Sequence, residues 1–122
     1  MRWMILVGHD EKGGKTLAPE EHQNLFAAYQ KYVTELRAAG VYLSGEALQS
    51  SDKAARISSE GGKKKTLDGP FSESKEIVGG YFLIEARTRA EALEWAARCP
   101  SAQLGGWSYA ELRPVEDIPV PA

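Results

Sequence analysis

Residues 68–76 read Asp-Gly-Pro-Phe-Ser-Glu-Ser-Lys-Glu, so Asp68, Glu73 and Lys75 bring carboxylates and an ammonium onto one short stretch. Glycine bends the chain there and proline fixes φ, which stiffens the segment that carries them. If burial moves a pKa toward neutrality, Asp68 could take a proton from a substrate and Lys75 could steady the negative charge that develops, with Phe71 and Glu73 as binding groups. The same residues also read as turn chemistry: the aspartate accepts local backbone hydrogen bonds and Phe71 anchors the loop in the core. His9 and Asp10 directly follow an apolar run. An imidazole at the end of a strand is an alternative acid-base group, or simply part of an exposed loop.

Other candidates depend on strand alternation. Glu46 and Tyr42 fall on one face of a strand over 41–48, opposite Val41, Leu43 and Ala47. Trp107, Tyr109, Glu111 and Arg113 share a face of the last strand. Aromatic groups with a few charges suit a small-molecule pocket, with Tyr42, Tyr109 and Arg113 as binding residues and Glu46 as a base. They suit an interface equally well, with Glu111 paired to Arg113. His22 lies on the apolar stripe of a helix with Leu25, Phe26 and Tyr29, which predicts a packed boundary histidine rather than a base. His9 and His22 lack the close spacing of metal ligands, and no metal is expected. Cys99 is the only cysteine, so it forms no internal disulfide and is expected to pack as a small apolar residue. Gly61-Gly62 and Gly79-Gly80 open hairpin and strand segments rather than helices, so no nucleotide cofactor, or any other cofactor, is expected.

The elements that must position these groups follow from periodicity. Residues 2–7 are apolar on both alternating sets, the pattern of an interior strand. Pro19 followed by Glu20 and Glu21 starts a helix, the apolar stripe Leu25, Phe26, Tyr29, Val33 and Leu36 continues it, and Gly40 ends it. Residues 54–59 and 63–67 flank Gly61-Gly62 as a hairpin, its three lysines blunting an exposed edge. Gly79-Gly80 introduces a strand over 81–86, apolar on both faces. Thr88 and Glu91 form a capping box for a helix that stops before Pro100, and residues 107–113 close the chain as a strand. This order predicts an α+β fold: a ferredoxin-like split β-α-β sheet with an inserted β-hairpin. Both helices cover one face, which leaves large apolar groups on the other. A second copy is expected to cover them, making a homodimer joined sheet to sheet as a dimeric α+β barrel.

With 122 residues, 43% hydrophobic and 26% charged, the chain has the size and balance of one globular domain over 1–122. Fifteen basic against 17 acidic residues give a net charge of -2, so no nucleic-acid partner is expected and the Lys63–Lys65 run reads as a solvated edge. No apolar run reaches the length of a membrane span and no leader pattern is seen, so the expectation is a cytoplasmic protein with no membrane partner.

The stretch 68–76 followed by Gly79-Gly80-Tyr81 resembles the signature of the DGPF branch of the YCII-related family. Matching segments at 4–7, 35–41, 45–46, 92–100 and 111–115 extend the resemblance over nearly the whole chain. It implies a dimeric α+β barrel. In the wider family a helix histidine facing an aspartate in a cleft suggests catalysis, and a related member eliminates chloride from an aromatic substrate. Tyr29 stands at the turn where that histidine would fall, two helical turns beyond His22, and joins the substrate-binding candidates. Members of the branch occur beside extracytoplasmic sigma factors, which implies the alternative of a non-catalytic interaction module linked to transcription. The leading expectation is that a small organic metabolite binds in a cleft between the open sheet face and the 68–75 loop. Any catalysis would be cofactor-free lyase or isomerase chemistry.

Overall fold

Strand β1, Arg2–Asp10, alternates buried Trp3 and Ile5 with half-buried Met4 and Leu6, as a strand covered on one face and partly open on the other must. In the computed structural model, which describes residues 1–10, 17–70 and 76–121, β1 is followed by helix α1 (Pro19–Ala38) and strand β2 (Tyr42–Ala47). A hairpin of β3 (Ala55–Glu60) and β4 (Lys63–Asp68) comes next, then β5 (Glu76–Glu85), α2 (Arg89–Arg98) and β6 (Ser108–Pro114). The main sheet runs β2-β5-β1-β6 with every pair antiparallel, the ferredoxin-like order that the element sequence predicts. The hairpin forms a separate two-stranded sheet. Gly61 and Gly62 turn it at φ of 59° and 82°, the left-handed conformations that a two-residue hairpin loop needs.

Helix ends follow the expected chemistry. Pro19 opens α1 while the Glu21 carboxylate accepts from the Ala18 N–H at 3.1 Å, and Gly40 leaves the helix at φ of 74°. The Thr88 hydroxyl accepts from the Glu91 N–H at 3.2 Å and caps α2. Both helices lie on the face of Trp3, Ile5, Phe82 and Ile84, where Tyr32, Leu36, Ala92, Ala96 and Cys99 complete the core. The register sets Trp3 opposite Ile84 and Ile5 opposite Phe82, so these groups share one face. Met4, Leu6, Tyr81 and Leu83 share the other.

Three local expectations are corrected. β1 continues to Asp10, so His9 belongs to the strand and pairs with Ser108 and Ile77. β5 begins at Glu76, before the glycine pair; Gly79-Gly80 lies inside it, where a register shift lets Val7 face Gly80 and Gly8 face Val78. A second irregularity between Tyr42 and Ser44 breaks the alternation of β2. Tyr42, Gly45 and Ala47 therefore take the helix side, whereas Ser44 and Glu46 take the open side. Among the described residues no helix is long and apolar enough to cross a membrane.

Candidate functional site

The N-terminal half of α1 does not close on the sheet. His22 is exposed, and Phe26 is 66% exposed although it lies on the predicted apolar stripe. The side chains sealed beneath α1 are Leu36, from the predicted stripe, and Tyr32, whose hydroxyl donates to the Trp95 carbonyl at 2.6 Å and so joins the two helices. Between α1 and the β2 side of the sheet lies a cavity of about 670 Å³. This is within the range of small-molecule pockets.

Each wall has an origin in the sequence. Phe26, Tyr29, Gln30, Val33, Thr34 and Arg37 line the cavity from α1, at the three- and four-residue spacing of a single helix face. Phe82 forms the floor: its ring stacks on Tyr29 at 6.1 Å and 21°, and meets Tyr32 edge-on at 5.2 Å. Gly45 permits this, because a Cβ there would approach Phe82 Cδ1 to 2.9 Å. At one end the Arg37 guanidinium stands 4.9 Å from the centre of the Tyr42 ring. At the other, the His9 ring packs against Gly79.

Behind Tyr29 is a buried polar cluster. The Tyr29 oxygen meets the side chain and backbone of Ser101, and burial pushes its pKa up to about 12. Cys99 Sγ lies 3.2 Å from Ser101 Oγ, and the Ser108 hydroxyl donates to the Ser101 carbonyl at 2.8 Å. Burial likewise pushes the Cys99 thiol up, which favours an uncharged packing group. A second depression of about 600 Å³ lies on the α2 side of α1. Several of its polar groups serve the helices themselves: Arg98 pairs with Glu35, Glu21 caps α1, and Gln103 donates to the Ala97 carbonyl.

Of the sequence candidates, the structure brings His9, Tyr29 and Tyr42 together in the first cavity. Glu46 borders it but sits opposite Tyr81 and Leu6 in a row facing the open side, so it does not share a face with Tyr42. The open face also receives Tyr109, whose ring covers Gly8, and Arg113, which pairs with Glu111 at 3.3 Å. Asp68 lies exposed at the end of β4, opposite Ala55, and is not among the residues lining the cavity. Phe71, Glu73 and Lys75 lie outside the described residues. The site thus opens on the helix side of the sheet rather than on its open face. Arg37 and Phe82 were accessible to sequence reasoning through helical spacing from Phe26 and through strand alternation; Ser101 and Ser108 were not, since only the tertiary fold joins them to Tyr29.

The model of the YCII-related domain matches residues 1–116. The chain belongs to the YCII-related family. An uncharacterized protein of Rhizobium meliloti (strain 1021) is 31% identical to this YCII-related chain over 119 residues, covering 94% of the chain and 92% of the relative. Among solved structures, a 5-chloro-2-hydroxyhydroquinone dehydrochlorinase from Burkholderia phenoliruptrix AC1100, in complex with 2,5-dihydroxybenzoquinone, is similar to it at 16% identity and a TM-score of 0.51. The match covers 95% of this chain and 94% of the neighbour and shows a shared α+β fold.

Proposed function

We propose that this YCII-related protein is a cytoplasmic homodimer that binds a small aromatic organic acid in the cavity beneath α1, and that His9 exchanges a proton with the bound molecule in cofactor-free lyase or isomerase chemistry. The carrying observation is the composition of the cavity: stacked aromatic walls, a guanidinium at one end and an imidazole at the other. Aromatic walls bury a flat ring, the guanidinium attracts an anion, and imidazole gains and loses protons near neutral pH. In an elimination, His9 takes a proton from a ligand carbon, the C–H electron pair becomes the new double bond, and the leaving group departs with its own pair. In an isomerisation the same imidazole returns the proton to a different carbon. The dehydrochlorinase neighbour and its quinone ligand support elimination on a ring of this kind.

Homodimerisation is supported by the open face, where Met4, Leu6, Tyr81 and Leu83 form an apolar centre beside the Glu111–Arg113 pair. A second reading, a protein-interaction module, is favoured by the hairpin, where Ile57 is 68% and Leu67 46% exposed.

A thermal-shift screen against aromatic acids, phenols and quinones tests the first reading. A ligand at 100 times its dissociation constant adds roughly 2.7 kcal/mol of stability. Clustered shifts among aromatic acids, with turnover abolished in His9→Gln, are expected. Binding confined to peptides or proteins, with no shift from any small molecule, would favour the interaction module.

A further inference from the structure

The cavity is a slot with chemically different ends, and its length constrains what fills it. From Phe26 to Arg37 the lining face of α1 advances about 16 Å at 1.5 Å per residue. The sheet gives a second measure. Tyr42 pairs with Ile84, in the row of Trp3, and its hydroxyl reaches toward Gly45, in the row of Ile5. The Arg37 guanidinium over the Tyr42 ring therefore stands near the level of Met4. His9 lies farther along β1, with its ring leaning back on Gly79, between the levels of Val7 and Gly8. Three to four residues of strand separate these levels, about 12 Å. One six-membered ring cannot touch both groups.

Between the ends the side chains on the helix side of the lining are apolar or uncharged: Val7, Tyr29, Val33 and Phe82 with Gln30 and Thr34, the Thr34 hydroxyl already given to the Gln30 carbonyl; Glu46 borders the cavity at the level of Leu6 but belongs to the row facing the open side. The aromatic side chains Phe26 and Tyr29 belong to the helix turns at the His9 end, and Arg37 is the cation of the opposite end.

We infer that the ligand is an extended aryl-alkyl carboxylate rather than a single substituted ring: its carboxylate is held at Arg37, a spacer of several carbons crosses Phe82, and its ring reaches His9 between Phe26 and Tyr29. This rests on the proposed small-molecule reading of the cavity and adds the substrate class and its orientation. Arg37 is then the specificity-determining residue, because it sets which end of the ligand faces the imidazole.

The test uses the full chain and a homologous series of benzoate, phenylacetate, 3-phenylpropanoate, 4-phenylbutanoate and 6-phenylhexanoate, each beside its neutral primary alcohol. Affinity is measured by calorimetry, and the His9 ring is followed by proton–nitrogen NMR. Affinity is expected to rise about three- to fourfold per methylene up to the length that fills the slot. His9 signals should move with the longer acids and stay still with benzoate. Arg37→Gln should remove the preference for acid over alcohol by tenfold or more while keeping the length dependence, a split that general unfolding would not produce. Equal affinity across the series, or a His9 shift with benzoate as large as with 4-phenylbutanoate, would overturn the extended ligand and leave the small-molecule reading in place. If no acid or alcohol binds, both fall.

Discussion

The imidazole of His9 occupies the room that a side chain at Gly79 would need: a Cβ there would lie 2.8 Å from His9 Cε1 and 3.0 Å from Nδ1. Gly79 is not in the left-handed region, so its backbone accepts alanine without strain. The conflict is with a side chain, and rotating the ring relieves it. Gly79→Ala is therefore expected to melt close to the parent, within about 1 kcal/mol, while ligand binding at the His9 end weakens tenfold or more. Paired thermal melts and titrations check this; a large stability loss with unchanged affinity would mean the glycine serves packing alone.

Alkaline pH should unfold this protein through its buried phenols. Burial holds Tyr29 at about 12 against its ordinary 10, and raises Tyr32 and Cys99 in the same direction. Between pH 10 and 12 the unfolded chain has released the Tyr29 proton and the folded chain has kept it, so unfolding stability falls as pH rises through that window. Tyr29→Phe removes one proton from this balance. Urea melts at several pH values should show a shallower decline above pH 10 for the variant; parallel slopes would show that Tyr29 ionises as readily in the fold as outside it.

The Tyr32 hydroxyl and ring can be separated by substitution. Tyr32→Phe removes the 2.6 Å bond to the Trp95 carbonyl and keeps the edge-on contact with Phe82, at an expected cost of about 1 kcal/mol. Tyr32→Ala also opens a hole in the core, for about 3–5 kcal/mol. Denaturant titration should rank the two in that order, and equal losses would assign the whole contribution to the hydrogen bond.

The features legible in the sequence were those set by local rules. The caps at Pro19 and Thr88, the Gly61-Gly62 turn and the two-faced strands around Ile5 and Phe82 all depend on residues within a few positions of one another, and together they give the sheet order. Alternation failed where register shifts intervene. The irregularity after Tyr42 sends Tyr42 and Glu46 to opposite faces, and strict period-two counting has no means of detecting an extra residue. Periodicity also placed Phe26 in the core, because it shows which helix face turns inward but not whether the sheet meets it. His9 could be named as a candidate, yet its partners in the cavity come from α1, β2 and β5 and meet only in the folded chain.

The open sheet face makes its own prediction. Leu83 sits between Met4 and Ser44 in register, at the apolar centre of that face and away from the helices. Leu83→Glu would bring an unpaired carboxylate into the proposed sheet-to-sheet interface, and the cost of burying it should convert the proposed dimer to a monomer with the fold retained. Light scattering with circular dichroism reads both quantities. A monomeric parent would overturn the dimer, and a dimeric variant of unchanged mass would show that this face is not its interface.

Gly69 and Asp68 separate structure from chemistry in the segment that first drew attention. The Gly69 N–H donates to the Ala54 carbonyl at 2.8 Å, and a Cβ at this position would come within 2.2 Å of the Ser51 carbonyl oxygen. That neighbour is backbone, so it cannot swing aside as a side chain can. Gly69→Ala should therefore displace the base of the hairpin and cost about 1–3 kcal/mol. The adjacent Asp68 is exposed and outside the cavity, so Asp68→Asn is expected to keep both stability and ligand affinity. Urea melts and calorimetric titration of both variants distinguish the roles. Lost turnover in Asp68→Asn with intact binding would instead return the carboxylate to the chemistry.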